Sequence, residues 1–283
     1  MQMIPEIRIN ETLSLPVLGI GTWEMGGRHS PDYSEDKKWI EALVFALAQG
    51  IRHIDTAAIY GGGHTERLVG EAVRQFPRKD IFITTKVSGD RLQFSEVVKS
   101  ANNSLKRLGV DQIDMLLLHW PNPRIPLSQT MSAVNKLYEE KIIRHFGLSN
   151  FPVELIREAM LFTDIPIATN QLEYNILTRN SGSYNRSVES EIIPWCLKNK
   201  ISITAWRPLT KGTELGKYPA IAQLAAKYEK TPHQIALNWL VNKPQMMAIP
   251  KMSSQEHIRQ NIEAIGFSMT AEEYHVLDTL TAV

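Results

Sequence analysis

Four side chains of the chain could together carry out acid–base chemistry: Asp55, Tyr60, Lys86 and His119. Three of them end apolar runs of strand length, and Tyr60 follows shortly after the first run. A lysine cation beside a phenol lowers the pKa of that phenol, and a carboxylate beside the lysine keeps the lysine charged. A neutral imidazole can orient a substrate oxygen while a tyrosine delivers a proton to it. The set therefore suits the reduction of a carbonyl by hydride.

Each of these residues also has an ordinary structural interpretation when it is taken alone. Asp55 and Lys86 could form a structural ion pair. Tyr60 could be a loop residue with a hydrated hydroxyl, and His119 could be a satisfied core histidine. Their shared position at the C-terminal ends of successive strands favours catalysis, because barrel enzymes keep their chemistry there.

Two other chemistries compete with proton donation. The histidines at positions 53, 64, 119 and 145 are not spaced as ligand pairs, and no His-x-His pair occurs. We therefore expect no metal site. A Schiff-base lysine at Lys86 would leave Tyr60 and His119 without a role.

Eight apolar runs of strand length alternate with helical patterns along the chain. They cover residues 17–22, 53–57, 81–87, 113–119, 144–150, 167–174, 201–206 and 246–251. Such runs, separated by amphipathic helices, indicate a parallel sheet covered on its faces. We predict an α/β fold, a (β/α)₈ TIM barrel that forms a single domain over residues 1–283. An open doubly wound sheet is the alternative, but its Gly-x-Gly-x-x-Gly turn is missing after the first run.

Additional elements are predicted around this barrel. Residues 7–10 and 13–16 read as an N-terminal β-hairpin that could cap one barrel end. Capping boxes at Thr231 and Thr270 begin two accessory helices. Two helices of the main alternation have clear apolar faces: one carries Trp39, Ala42, Leu43, Ala46 and Leu47, and the other carries Val97, Val98, Ala101, Leu105 and Leu108.

The bulk composition is that of an ordinary soluble protein. A net charge of +1 over 283 residues provides no broad field for nucleic acid or an acidic membrane. Cys196 is the only cysteine, so no intrachain disulfide forms, and the N-terminus lacks signal-peptide features. No apolar run is long enough to span a bilayer. We expect a cytoplasmic protein, monomeric by default, whose partner is a small molecule.

Seven short motifs, each at the end of a predicted strand, make the chain resemble the aldo-keto reductase family. The motifs lie at residues 19–23, 54–57, 85–87, 118–121, 147–151, 170–174 and 249–251. The resemblance implies a barrel that binds a nicotinamide dinucleotide without a Rossmann fold. It also implies that Tyr60 is the general acid, that Lys86 and Asp55 tune it, and that His119 orients the carbonyl.

The same resemblance assigns cofactor contacts. Ser149, Asn150 and Gln171 match positions that hold the carboxamide of the nicotinamide. Trp206 stands where the family usually stacks a tyrosine on the ring, and an indole should stack as well. The remaining positions that the resemblance assigns to the cofactor are Gly21, Thr22, Arg207, Leu209, Lys211, Lys251, Met252, Ser253, His257, Gln260 and Asn261.

The expected site for the 2′-phosphate of the cofactor departs from the family pattern. Met252 stands where a hydroxyl residue is frequent, and His257 stands where an arginine commonly clamps the phosphate. A phosphate prefers a bidentate guanidinium over a single imidazole. Lys251, Ser253 and the helix start after Ser254 still offer a cation, a hydroxyl and free amides. We expect NADPH/NADP+ as the cofactor, with use of NADH/NAD+ as well.

Trp23 and Trp120 match the substrate-pocket walls of the family, with Met25 as a further candidate. The chain ends shortly after its last helix, so we expect an open pocket that accepts a range of aldehydes, some ketones and sugar carbonyls. The reaction would also run in reverse as an alcohol or sugar dehydrogenase. The alternative is a nicotinamide-binding regulatory subunit of the same fold with little or no turnover.

Overall fold

The computed structural model describes residues 3–210 and 215–280. It begins with the predicted antiparallel hairpin, formed by strands β1 (Glu6–Arg8) and β2 (Ser14–Pro16). The hairpin lies across one end of the barrel, where its apolar side chains share a small core with residues from inside the barrel. This core contains Ile9, Leu13, Leu15, Met115, Leu117, Ala168 and Met247.

Eight parallel strands follow the hairpin and pair in sequence order, one at each predicted run, although β7 begins one residue before its run. Their bounds are β3 (Ile20–Gly21), β4 (His53–Asp55), β5 (Phe82–Val87), β6 (Ile113–Leu118), β7 (Ile143–Ser149), β8 (Ile167–Glu173), β9 (Ser202–Trp206) and β10 (Met246–Ala248). The first and last strands meet through hydrogen bonds from Gly19 N to Ala248 O (2.9 Å) and from Ala248 N to Val17 O (2.8 Å). The predicted TIM barrel is therefore confirmed, although β3 is shorter than its apolar run.

Closure of the barrel depends on the glycine that ends β3, the first barrel strand. The amide of Gly21 donates to the carbonyl of Pro250 at 3.0 Å. A side chain at Gly21 would place its Cβ only 2.5 Å from the carbonyl oxygen of Ile249. Only glycine allows the two backbones to approach this closely.

Ten α-helices surround the strands in the described ranges. Their bounds are α1 (Asp36–Ala48), α2 (His64–Val73), α3 (Phe94–Leu108), α4 (Leu127–Glu139), α5 (Val153–Met160), α6 (Ile193–Lys198), α7 (Pro219–Tyr228), α8 (Pro232–Val241), α9 (Gln255–Glu263) and α10 (Ala271–Asp278). Strands β9 and β10 are each followed by two helices, which accounts for the two accessory ones. In these ranges no helix has the length and apolar character needed to cross a membrane.

The helix signals in the sequence are confirmed in detail. Both capping boxes form, at Thr231 before α8 and at Thr270 before α10. Helix α1 buries all five residues of its predicted face, whereas α3 leaves Val98 and Leu105 only partly buried.

Cys196 lies in the core, and burial raises the pKa of its thiol to about 12, which makes it an unreactive packing residue.

His53 at the start of β4 gives the fold a dependence on pH. Its Nε2 lies 2.9 Å from Thr84 Oγ1, and its Nδ1 is buried with no hydrogen-bond partner among the described residues. Burial lowers the pKa of the imidazole from 6.5 to about 4. The unfolded chain therefore takes up a proton near pH 6.5, whereas the folded protein resists protonation until about pH 4.

We predict that this difference removes about 2 to 3 kcal/mol of unfolding free energy between pH 7 and pH 4.5. The contribution of His53 to the unfolding free energy is complete above its pKa in the unfolded chain, 6.5. It is lost as the pH falls toward its pKa in the folded protein, about 4. Urea unfolding at both pH values should show the loss in the native protein, and His53→Gln should lack this part of it. Equal pH dependence in the two proteins would contradict the assignment.

Candidate active site

A cavity of about 580 Å³ opens at the C-terminal ends of the barrel strands. Most of the residues that the sequence assigns to the site line it. These are Gly21, Thr22, Trp23, Asp55, Tyr60, His119, Trp120, Ser149, Asn150, Gln171, Trp206, Arg207 and Lys251. The cavity therefore brings together residues from seven of the eight strand ends, β5 being the exception.

Lys86 lies directly behind this cavity, near the end of β5, with no exposed surface. Its ammonium contacts Asp55 Oδ1, donates to the carbonyl of Thr56 at 2.9 Å and lies 3.5 Å from the hydroxyl of Tyr60. The second carboxylate oxygen of Asp55 accepts a hydrogen bond from Gln171 Nε2 at 2.7 Å. The Asp55 carboxylate, the Lys86 ammonium and the Tyr60 phenol thus form one connected group.

The pKa of Tyr60 shifts in the direction opposite to the one that the sequence predicts. Burial raises the pKa of the phenol well above 10, and Asp55 and Tyr184 act in the same direction. The lysine charge does not prevail because Asp55 neutralises it at close contact. Burial also lowers the pKa of Lys86, and the neighbouring Asp55 carboxylate opposes this shift. Tyr60 consequently holds its proton at neutral pH.

His119 follows β6 and faces the same space. Its ring centroid lies 5.6 Å from that of Tyr60 and 4.7 Å from that of Trp120. Burial, together with the nearby charge of Lys86, lowers the pKa of the imidazole well below 6.5. Its Nδ1 is buried and meets no hydrogen-bond partner in the described part of the chain. The ring is therefore neutral, as the sequence predicts.

Polar side chains from β7 and β8 form one wall of the cavity. Asn150 is held by bonds from its Nδ2 to the His119 carbonyl (3.0 Å) and to Ser149 Oγ (3.1 Å), and its Oδ1 accepts from Trp206 Nε1 at 3.1 Å. Ser149 therefore keeps its own hydroxyl proton to donate. Gln171 uses its Nε2 on Asp55, and no hydrogen bond joins its Oε1 to another described residue. The wall offers a hydrogen-bond donor and an acceptor.

Arg207 lines the cavity but is turned toward an acidic partner. Its Nη1 lies 3.3 Å from Glu173 Oε1, and its guanidinium carbon lies 5.2 Å from the Trp206 ring centroid. Glu173 also accepts a hydrogen bond from the backbone of Ser183 at 2.7 Å. The carboxylate thus links the residues after β9 to the segment 174–187, which follows β8.

The remaining assigned residues extend from the cavity toward α9. Lys251 lines the cavity, Ser253 Oγ lies 3.3 Å from His257 Nδ1, and Ser254 caps α9 by accepting from the amide of His257 at 3.2 Å. Met252 is an exception, because its side chain is fully buried in the core and only its backbone can face a ligand.

Three further assigned residues lie outside the cavity lining, on or beside the core. Leu209 is partly buried against the core, Gln260 bonds to Glu256 at 3.0 Å, and Asn261 is buried. None of the three contributes to the cavity lining. Lys211 lies outside the described residues.

Aromatic rings form the walls around Tyr60. The ring of Trp23 meets that of Tyr60 edge-on at 4.8 Å. Trp120 packs over Gly89, where an added Cβ would lie 2.2 Å from the indole, so the glycine makes room for this wall. The expectation that Met25 joins the pocket is wrong, because Met25 is fully buried in the core.

Sequence reasoning missed several residues of the cavity lining, among them two with aromatic rings. His29 lies 5.5 Å from the Trp23 ring, and Tyr184 meets the Trp206 ring edge-on at 6.1 Å. Both line the cavity from loops. Their only signal in the sequence is the presence of an aromatic ring in a loop that follows a barrel strand.

The described residues contain no group of three or more His, Cys, Asp or Glu side chains arranged to hold a metal ion. The side chains in and directly behind the cavity offer a phenol, a buried ion pair, a neutral imidazole and an amide wall. Together these groups can bind, orient and protonate an oxygen atom on a substrate.

Comparison with known proteins agrees with this geometry. Residues 17–282 match the Aldo/keto reductase family. The 9,11-endoperoxide prostaglandin H2 reductase of Trypanosoma cruzi is 30% identical over 278 residues, covering 97% of this chain and 90% of that protein. Methylglyoxal reductase YeaE of Escherichia coli is 30% identical over 277 residues, covering 96% of this chain and 93% of that protein.

Solved structures show the same similarity. The thermostable aldo-keto reductase Tm1743 superposes with a TM-score of 0.92 at 38% identity, covering 98% of this chain and 99% of that one. An aldo/keto reductase from Klebsiella pneumoniae, in complex with NADP and acetate, superposes with a TM-score of 0.87 at 32% identity, covering 96% and 94%. The fold, the cavity and these matches together show that the chain belongs to the aldo/keto reductase family of oxidoreductases.

Proposed function

We propose that the protein is an NADPH-dependent reductase of aldehydes and some ketones or sugar carbonyls, which also runs in reverse as an alcohol or sugar dehydrogenase. The observation that carries the proposal is the connected group of Asp55, Lys86 and Tyr60, of which Asp55 and Tyr60 line one cavity with the neutral His119. The Klebsiella relative bound to NADP and the methylglyoxal reductase named above support the choice of cofactor and substrate class.

The residues present fit a nicotinamide dinucleotide. Ser149 can donate to the oxygen of a carboxamide, and Gln171 Oε1 can accept from its nitrogen. The indole of Trp206 offers a flat surface on which an aromatic ring can stack. Lys251, Ser253 and the amides at the start of α9 offer a cation, a hydroxyl and free N–H groups to phosphate. These groups suit NADPH. We expect NADH to be used as well, because His257 stands where the family commonly has an arginine that clamps the 2′-phosphate.

The protein residues divide the work of reduction between binding and proton transfer. Bound NADPH supplies the hydride. The neutral His119 donates a hydrogen bond that orients the carbonyl oxygen. Tyr60, which burial keeps protonated, gives its proton to that oxygen as negative charge develops on it, because an alkoxide is a far stronger base than a phenolate. Lys86 then lies 3.5 Å from the phenolate and stabilises it, while Asp55 holds the lysine in its charged form.

The direct test is turnover. Mixing the protein with NADPH and either methylglyoxal or a nitrobenzaldehyde should consume the nicotinamide absorbance with both aldehydes. Omission of the protein or of the aldehyde serves as the control. Firm binding of NADPH without turnover of any carbonyl would instead favour a regulatory nicotinamide-binding subunit.

Tyr184 provides a prediction about substrate range. Its ring contributes to the cavity wall, and burial of apolar substrate surface against it adds roughly 25 cal/mol per Å². We expect Tyr184→Ala to lower kcat/KM for nitrobenzaldehyde about tenfold and for methylglyoxal less than about twofold, because the smaller aldehyde does not reach this wall.

Steady-state kinetics with the two aldehydes check the prediction. Tyr138→Ala, which truncates an exposed tyrosine on the outer helix α4, is the matched control and should change neither value. Equal losses for both aldehydes in Tyr184→Ala would show that Tyr184 acts on the protein as a whole rather than on substrate size.

A further inference from the structure

The cation assigned to the cofactor phosphate already has an acidic partner. Lys251 Nζ lies 3.3 Å from Glu24 Oε2, although the two residues are 227 positions apart in the sequence. The other carboxylate oxygen of Glu24 accepts from Arg28 Nε at 2.8 Å. Lys251 and Arg28 both line the cavity, so one carboxylate links two cations on its rim.

The backbone fixes Glu24 in this position. It directly follows Trp23 and adopts φ +69°, a left-handed conformation that is uncommon for glutamate. Glu24 and Gly27 also form an antiparallel bridge, which makes residues 24–27 a tight turn beside the first barrel strand. The charges and hydrogen bonds of Lys251 and Arg28 outweigh partial burial and lower the pKa of Glu24, so its carboxylate is ionised at neutral pH.

We propose that Glu24 competes with the 2′-phosphate of the cofactor for Lys251 and thereby narrows the preference for NADPH over NADH. The proposal rests on the proposed function, because it assumes a nicotinamide dinucleotide with its phosphate at Lys251. Glu24 acts as a specificity-determining residue and takes no part in the chemical step.

The direction of the effect follows from charge. A phosphate monoester carries roughly −2 charge at neutral pH. A phosphate in contact with Lys251 must displace the Glu24 carboxylate or lie within a few ångströms of it, and like charges repel at that distance. NADH has a hydroxyl in place of the phosphate and meets no such repulsion. At this end of the cavity the Ser253 hydroxyl, the amides at the start of α9 and the exposed imidazole of His257 remain, and none of them is a second ammonium or guanidinium that would offset the repulsion from Glu24.

The size of the effect follows from exposure. The side chains of Glu24 and Lys251 are about one-third exposed, at 35% and 33%. Exposed and half-exposed ion pairs are screened by water and salt, and they contribute modestly. We therefore expect Glu24→Gln to lower the dissociation constant of NADPH about fivefold at low ionic strength and that of NADH by less than about twofold.

The test is a direct binding measurement with the full protein. Quenching of tryptophan fluorescence reports both cofactors, because Trp23, Trp120 and Trp206 line the cavity. The gain in NADPH affinity should shrink as salt is added, since the repulsion is screened. Glu140→Gln removes the carboxylate of an exposed pair with Lys136 at the end of α4 and should leave both dissociation constants unchanged.

A second variant separates the effect of the Glu24 charge on Lys251 from the effect of the contact between Glu24 and Arg28. Arg28→Gln removes the other partner of Glu24 and leaves Lys251 paired, so it should not strengthen NADPH binding. The proposal is overturned if Glu24→Gln leaves the NADPH constant unchanged, if it strengthens NADH equally, or if Arg28→Gln gives the same gain. Failure of the native protein to bind either cofactor would instead overturn the proposed function, and this proposal with it.

Discussion

Replacing Tyr60 with phenylalanine is expected to lower kcat/KM for aldehyde reduction by about a thousandfold and to leave the dissociation constant of NADPH within about twofold. The variant removes the proton that the developing alkoxide needs. It keeps the ring, which packs edge-on against Trp23 at 4.8 Å and faces His119 at 5.6 Å. The lost hydroxyl makes only a long contact of 3.5 Å with Lys86. Its removal should therefore preserve the fold.

Two comparisons make this prediction sharp. Tyr138→Phe deletes a hydroxyl from an exposed tyrosine on α4 and should retain the native rate. A thermal unfolding temperature for Tyr60→Phe near that of the native protein would exclude a folding defect. An active Tyr60→Phe protein would mean that another group donates the proton.

Lys86→Met is expected to affect both activity and stability. Lys86 has no exposed surface, and its removal leaves the Asp55 carboxylate buried without its cation. Breaking a buried ion pair from one side costs about 3 to 5 kcal/mol of unfolding free energy. We also expect kcat/KM to fall at least a hundredfold, because nothing then stabilises the phenolate of Tyr60. Urea unfolding and steady-state kinetics measure the two effects separately.

The double variant Asp55→Asn, Lys86→Met distinguishes a structural pair from a catalytic one. With both charges removed, no uncompensated carboxylate remains, and the amide of asparagine can still accept from Gln171. We therefore expect the double variant to regain most of the lost stability while its activity stays low. Recovery of activity together with stability would show that the pair serves only the fold.

The positions of Asp55, Lys86 and His119 could be predicted from the sequence for a clear physical reason. Each stands at the end of an apolar run, and the alternation of strands and helices forces parallel strands to end on one face of the barrel. Local pattern thus determines which residues meet at the catalytic end of the barrel, even when they are far apart in the chain. The same holds for the two capping boxes, which depend on contacts within four residues.

Properties that depend on burial and on long-range pairing could not be predicted in this way. The direction of the Tyr60 pKa shift depends on how completely the ring is desolvated and on the neutralisation of Lys86 by Asp55. Met25 stands two positions after the pocket residue Trp23, yet its side chain is fully buried in the core. The partner of Lys251 is equally hidden, because no local pattern joins it to Glu24.

The most direct test of the central claim follows the hydride itself. The protein is incubated with nitrobenzaldehyde and NADPH that carries deuterium at the transferable position of the nicotinamide ring, and the alcohol product is examined by mass spectrometry. We predict that the native protein forms alcohol with deuterium on the former carbonyl carbon and that Tyr60→Phe forms almost none. A native protein that binds NADPH yet yields no deuterated alcohol would contradict the assignment of this cavity to carbonyl reduction.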